Sequence, residues 1–156
     1  GDITLLDASP ARLFLGPFYL AYMLFLSVFF SNSINIFAGI NGLEVGQSVV
    51  IALSVLAHNL LQLGGEDHSQ HLWSMFIILP FIATSLGILY WNWYPSAVFV
   101  GNSYTYWAGA TFAVVGILGH FSKTVMIFFL PQFLNFFLSL PQLTIWSCPR
   151  HRLPRY

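Results

Sequence analysis

The ten formally charged side chains of this chain are Asp2, Asp7, Arg12, Glu44, Glu66, Asp67, Lys123, Arg150, Arg152 and Arg155, and the intervals 13–43, 45–65, 68–122 and 124–149 contain none. A helix needs about 20 mostly apolar residues to cross about 30 Å of hydrocarbon. Each interval holds at least one such stretch, and 68–122 holds two with a break between them. Charged residues make up 6% of the chain and hydrophobic residues 57%, whereas a water-soluble domain carries roughly 25% charged residues. There are too few charges to coat a globule, so much of the surface must face lipid. A net charge of zero gives a nucleic-acid partner no electrostatic support. Cys148 is the single cysteine, so no intrachain disulfide can form; it reads as an ordinary free thiol.

This pattern predicts an all-α, polytopic membrane helix bundle of about five spans within 13–146, at about 13–30, 48–63, 72–90, 104–121 and 125–146. A segment 1–12 without clear periodicity precedes it and a basic tail, 147–156, follows. Pro17 falls near the first span's start, where a missing amide proton costs little. Pro80 lies inside the third span and is expected to kink it. Trp91, Trp93 and Tyr94 mark an exit into the headgroup zone. Gly109, Ala113, Gly116 and Gly119 give the fourth span a small face for close helix contact. Pro131 and Pro141 interrupt the fifth. The chain begins with Gly1 and lacks a basic stretch followed by a short apolar core, so no secretory signal is read; the expectation is a fragment or a processed piece.

Consecutive spans alternate direction, which places loop 31–47, loop 91–103 and tail 147–156 on one side of the bilayer. The other side receives residues 1–12, the polar turn 64–71 and the turn 122–124. Lys and Arg set orientation and acids count for little. Three arginines in the tail against Arg12 and Lys123 favour a cytosolic face carrying the two loops and the tail.

That face holds the residues best suited to chemistry. Asn32, Asn35 and Asn41, with Gly39 and Gly42, lie close together in sequence; carboxamides both donate and accept hydrogen bonds, which suits reading a base or sugar, and glycines let a ligand approach the backbone. An Asn/Gly turn at a helix end accounts for the same composition. Loop 92–102 reads as a ligand loop or as a Pro/Gly connection at the interface. Arg150, His151 and Arg152 could grip phosphate or touch anionic lipid. Glu66, Asp67, His68 and His71 could bind a metal, although histidines three apart in a polar turn are more often solvated. The run Gly116–Thr124 lacks the spacing of a phosphate-binding loop.

The segments NSINIFAGINGLEVGQ (32–47), WYPSAVFVG (93–101), AVVGILGHFSKT (113–124) and PRHRLPR (149–155) resemble the eukaryotic dolichyl-phosphate branch of the polyprenyl-phosphate N-acetylhexosamine-1-phosphate transferases. The resemblance extends over roughly residues 16–155 and implies a multi-pass endoplasmic-reticulum enzyme of about ten spans with a cytosolic active site. Such an enzyme moves GlcNAc-1-phosphate from UDP-GlcNAc to dolichyl phosphate with Mg²⁺, opening lipid-linked oligosaccharide synthesis for N-glycosylation. By resemblance Asn35 belongs to the catalytic and metal centre. Gly39, Asn41 and Phe99 hold the uracil. Arg150, His151 and Arg152 contact the sugar and pyrophosphate. The run Val28, Phe29, Phe30, Ser31, Asn32, Ser33, Ile34, Asn35 and Ile36 borders the dolichyl-phosphate site.

Two departures from the family pattern stand out. Asn102 occupies the position of a family Asp that ligates Mg²⁺, and a neutral amide is a weaker ligand for a hard cation. The family's Asp-Asp motif and phosphate-binding lysine belong to a first half that this chain lacks. The leading reading is therefore the C-terminal half of such a transferase, inactive alone. It would work with membrane lipid around it and with an N-terminal-half partner or a second copy. The rivals are a non-catalytic module that pairs with such a partner and a transporter-like bundle. The absence of charge within every span argues against the transporter.

Overall fold

The computed structural model describes residues 16–36, 40–65 and 67–143, the last five as backbone only. Six helices follow one another: α1 (Pro17–Ile36), α2 (Leu43–Gln62), α3 (His68–Asn92), α4 (Gly101–Leu118), α5 (Ser122–Phe128) and α6 (Leu130–Leu143). No strand occurs among the described residues. In hydrocarbon every backbone polar group must be satisfied by the protein itself, and a helix does this within its own segment. The described residues thus form a helical bundle, and α1, α2 and α3 are each long and apolar enough to cross a membrane.

The expectation of five spans meets two local features. The first turns of α4 carry Asn102, Ser103, Tyr104 and Thr105, which dilute its apolar character. The fifth apolar run is divided at Phe129 into α5 and α6. Pro131 has no amide proton to give the preceding turn and its ring crowds that turn's carbonyl, so the chain breaks there and resumes with the proline in the first turn of α6, where it is tolerated. Pro80, by contrast, sits inside a helix that continues to Asn92. The Thr84 hydroxyl lies 2.8 Å from the Pro80 carbonyl and 3.0 Å from the Phe81 carbonyl, one turn beyond the Phe76 carbonyl that the missing Pro80 amide leaves without its helical donor.

Helices also extend further into the polar segments than hydropathy suggests. The connection expected over 31–47 narrows to 37–42, because α1 continues to Ile36 and α2 begins at Leu43. The polar side chains are accommodated there by bonding carbonyls three or four residues back in their own helix: Ser27 to the Met23 carbonyl, Ser31 to Ser27, Asn32 to Val28 and Ser33 to Phe30. The turn expected over 64–71 likewise shortens, and His71 is drawn into α3 and buried. Its Nδ1 meets Asn59 Oδ1 at 2.9 Å while Asn59 Nδ2 donates to the Ser74 hydroxyl at 2.6 Å. This pins α2 to α3 at the end of the bundle away from the candidate site. His68 is exposed and bonds the Leu63 carbonyl, and no group of three His, Cys, Asp or Glu suited to a metal occurs among the described residues. A structural role thus replaces the solvated one expected for His71.

The core joins α1 and α4 most extensively, then α2 and α3. Phe30, Phe112 and Phe129 meet in its centre, with the Phe30 and Phe129 rings stacked 4.1 Å apart and Phe112 edge-on to Phe129 at 5.4 Å. Gly109 sets the α1–α4 separation. A methyl group there would stand 2.7 Å from the Phe30 carbonyl carbon and overlap the Ser31 backbone. Small residues let membrane helices approach this closely, and dispersion, rather than hydrophobic exclusion, then holds them. The obstacle is backbone and cannot swing aside, so Gly109→Ala should cost about 1–3 kcal/mol. Gly46→Ala, where no atom lies within 4 Å, should leave stability unchanged or slightly raised. Thermal unfolding of the two variants in detergent micelles, followed by tryptophan fluorescence, checks this contrast.

Candidate functional site

The C-terminal end of α1, the N-terminal end of α2, the C-terminal end of α3 and the N-terminal end of α4 gather at one end of the bundle, joined by connections 37–42 and 93–100. Asn35 lies in the last turn of α1 and is half-buried; Asn41 lies in the first connection and is exposed. Phe99 closes the second connection with 86% of its surface exposed. Asn102 follows in the first turn of α4, also exposed. Residues far apart in sequence thus come to one face, as the alternation of spans requires. Gly39 and the tail residues Arg150, His151 and Arg152 lie outside the described residues.

Local bonding holds this end together. Gly42 adopts φ 80°, a left-handed conformation that glycine takes without steric cost, and caps the start of α2. Its amide donates to Asn92 Oδ1 at 3.0 Å, and Asn92 Nδ2 donates to the Val98 carbonyl at 2.8 Å. Deeper in the bundle Gln47 Nε2 donates to the Ile34 carbonyl at 3.0 Å, and Gln132 Nε2 donates to Gln47 Oε1 at 3.1 Å. This chain of carboxamides fixes the last turn of α1, next to Asn35, against α2 and α6. Sequence reading missed both Asn92 and the Gln47–Gln132 pair. An Asn at a helix end signals a cap and an isolated Gln signals nothing; their partners lie 50 and 85 residues away.

The nine residues of the α1 run divide by face. Val28, Asn32 and Ile36 are exposed; Phe29, Ser31 and Asn35 are half-buried; Phe30, Ser33 and Ile34 are buried. Phe30 and Ile34 are core residues, so the outward residues and Phe29 are the ones a ligand could touch directly. Phe29 also borders an apolar groove of about 300 Å³ between α1 and the α5–α6 segment, lined by Tyr22, Phe25, Leu26, Met126 and Phe133. A larger, open concavity of about 610 Å³ lies beside Leu89, Trp91, Trp93 and Tyr94. It includes none of Asn41, Phe99 and Asn102, and its aromatic lining matches a headgroup belt.

Asn35 and Asn102 do not by themselves form a site for Mg²⁺. They offer two neutral amide oxygens, whereas a hard divalent cation in a protein is held chiefly by carboxylates and phosphate oxygens. The single described carboxylate at this end is Glu44, and it is buried in the first turn of α2.

A family model described as glycosyl transferase family 4 matches residues 4–120. The chain is 52% identical to the UDP-N-acetylglucosamine–dolichyl-phosphate N-acetylglucosaminephosphotransferase of Dictyostelium discoideum, over 91% of the chain and 39% of that protein. The proteins of the same name from Schizosaccharomyces pombe and Saccharomyces cerevisiae are 50% and 49% identical, over 90% and 91% of the chain and 33% of each relative. The chain thus spans between a third and two fifths of the length of these curated relatives.

Proposed function

The chain belongs to glycosyl transferase family 4, and from that premise we propose that it is the C-terminal part of a membrane transferase moving GlcNAc-1-phosphate from UDP-GlcNAc to dolichyl phosphate. One observation carries the proposal. The connection bearing Asn41 and the connection bearing Phe99 are bonded to each other through Asn92 at the end of the bundle where α1 and α4 present Asn35 and Asn102. Similarity to three enzymes of that name supports the choice of substrates.

In this reading an oxygen of the lipid phosphate attacks the β-phosphorus of UDP-GlcNAc. A new phosphorus–oxygen bond forms, the bond from that phosphorus to the bridging oxygen breaks, and UMP leaves with the bridging oxygen. The exposed Phe99 ring offers a stacking surface for the uracil, and the Asn41 carboxamide can both donate to and accept from its edge. Arg150, His151 and Arg152 would meet the pyrophosphate and sugar, where guanidinium groups bind phosphate oxygens in pairs. Gly39 would let the nucleotide approach the backbone. The outward residues of the 28–36 run and the apolar groove beside Phe29 would receive the dolichyl phosphate and the start of its chain. Mg²⁺ would supply charge neutralisation at the pyrophosphate, with its carboxylate ligands coming from outside this chain and Asn35 and Asn102 contributing amide oxygens.

The same reading carries five crossings, with α4 the fourth and α5–α6 together the fifth, in the endoplasmic-reticulum membrane. The two connections and the tail face the cytosol. An N-terminal portion or a second copy completes the assembly.

Three outcomes are expected. Microsomes expressing the chain alone should form no GlcNAc-PP-dolichol from UDP-GlcNAc, and co-expression with the N-terminal part of the Dictyostelium relative should restore it; tunicamycin-sensitive product from the chain alone would overturn the expectation of inactivity. In the restored assembly Asn102→Asp should lower the Mg²⁺ concentration for half-maximal rate by about tenfold, the effect of roughly 1.4 kcal/mol of added ligand strength. In sealed microsomes a membrane-impermeant maleimide should label Cys148 without detergent, since the tail is assigned to the cytosol; labelling only after permeabilisation would reverse the orientation.

A further inference from the structure

Asn92 is the last residue of α3 and is 5% exposed. Its carboxamide does two different things. The oxygen accepts from the Gly42 amide at 3.0 Å, and the nitrogen donates to the Val98 carbonyl at 2.8 Å. Gly42 follows Asn41, and Val98 precedes Phe99. Each bond therefore ends on the immediate neighbour of a candidate uracil-contacting residue. Trp93 packs beside Gly42, where an added methyl would stand 3.3 Å from the indole ring. The Ala97 amide returns to the Trp91 carbonyl at 2.9 Å, so the second connection folds back over the end of α3. Among the described residues, this one buried amide is the hydrogen-bonding link between the two connections.

We propose that Asn92 is a positioning residue that fixes the spacing between Asn41 and Phe99 and so shapes the nucleoside half of the donor site. The inference rests on the transferase reading and deepens it. Only a group that donates and accepts at once can serve both partners. Aspartate keeps the acceptor for Gly42 and loses the donor for Val98, and leucine loses both. Asn92 touches no substrate and acts through its neighbours. Its effect therefore falls on the nucleotide and spares the lipid substrate, whose site is assigned to α1.

The test uses the chain assembled with the N-terminal part of the Dictyostelium relative in nanodiscs, with UDP-GlcNAc and dolichyl phosphate as the probes. Asn92→Leu should raise the KM for UDP-GlcNAc about tenfold or more, the loss expected when a net hydrogen bond of positioning is removed. The KM for dolichyl phosphate should stay within about twofold. Asn92→Asp should fall between wild type and Asn92→Leu. Hydrogen exchange on the same samples should show the 40–43 amides exposed in Asn92→Leu and still protected in Asn92→Asp. A fall in kcat with both KM values unchanged would mean only a smaller folded fraction and would overturn the proposal. So would an unchanged KM for UDP-GlcNAc with 40–43 deprotected. Failure of the wild-type assembly to bind UDP-GlcNAc at all would instead remove the transferase reading, and the positioning role with it.

Discussion

The contact on which the remaining geometry depends is the backbone-to-backbone approach of α1 and α4 at Gly109. Apolar side chains gain nothing by leaving lipid for one another, so a membrane bundle must be held by close packing and by buried polar links. Here the two helices touch through a residue with no side chain, and the aromatic cluster of Phe30, Phe112 and Phe129 fills the space beside that contact. Asn35 lies in the last turn of α1 and Asn102 in the first turn of α4. The separation of the helices is thus also the frame in which these two carboxamides face the same end of the bundle.

Polar links supply the second layer. The Gln132–Gln47–Ile34 chain ties α6, α2 and α1 in the half of the bundle nearest the candidate site, and Gln132 Oε1 has no partner among the described residues. At the opposite end His71, Asn59 and Ser74 fasten α2 to α3, and the Tyr22 hydroxyl meets Ser122 at 3.1 Å. Amides, hydroxyls and an imidazole thus take the place that ion pairs hold in water-soluble proteins, which fits a chain with long intervals free of charge.

Charge-free intervals made the helical membrane bundle legible in the sequence, because a run of about 20 residues without charge matches the thickness of the hydrocarbon that a helix must cross. Helix ends were less legible. Hydropathy counts Asn32 and Ser33 as loop residues, but each bonds a carbonyl of its own helix and continues it. The division at Phe129 was signalled by Pro131, although the intact passage of α3 through Pro80 shows that proline alone does not decide the matter. Candidate site residues came from motif resemblance alone, and of these Asn35, Asn41, Phe99 and Asn102 lie at one end of the bundle. Asn92 was not legible by that route, since its importance lies in two bonds to the connections on either side of the site and in no local pattern.

The α1–α4 contact also bears on how the chain is made. Ser31 leaves the ribosome roughly 80 residues ahead of its partner Gly109. At about 5–20 residues per second, the first helix waits roughly 4–16 s for the fourth. During that interval α1 must reside beside the translocation channel or in lipid without its main neighbour. Ser27, Ser31, Asn32 and Ser33 all bond carbonyls within α1 itself, so these four side chains have a partner before α4 arrives, whereas the Tyr22 hydroxyl finds Ser122 only later. The hydroxyl-rich stretch that looks like loop sequence thus brings its own hydrogen bonds into the apolar phase.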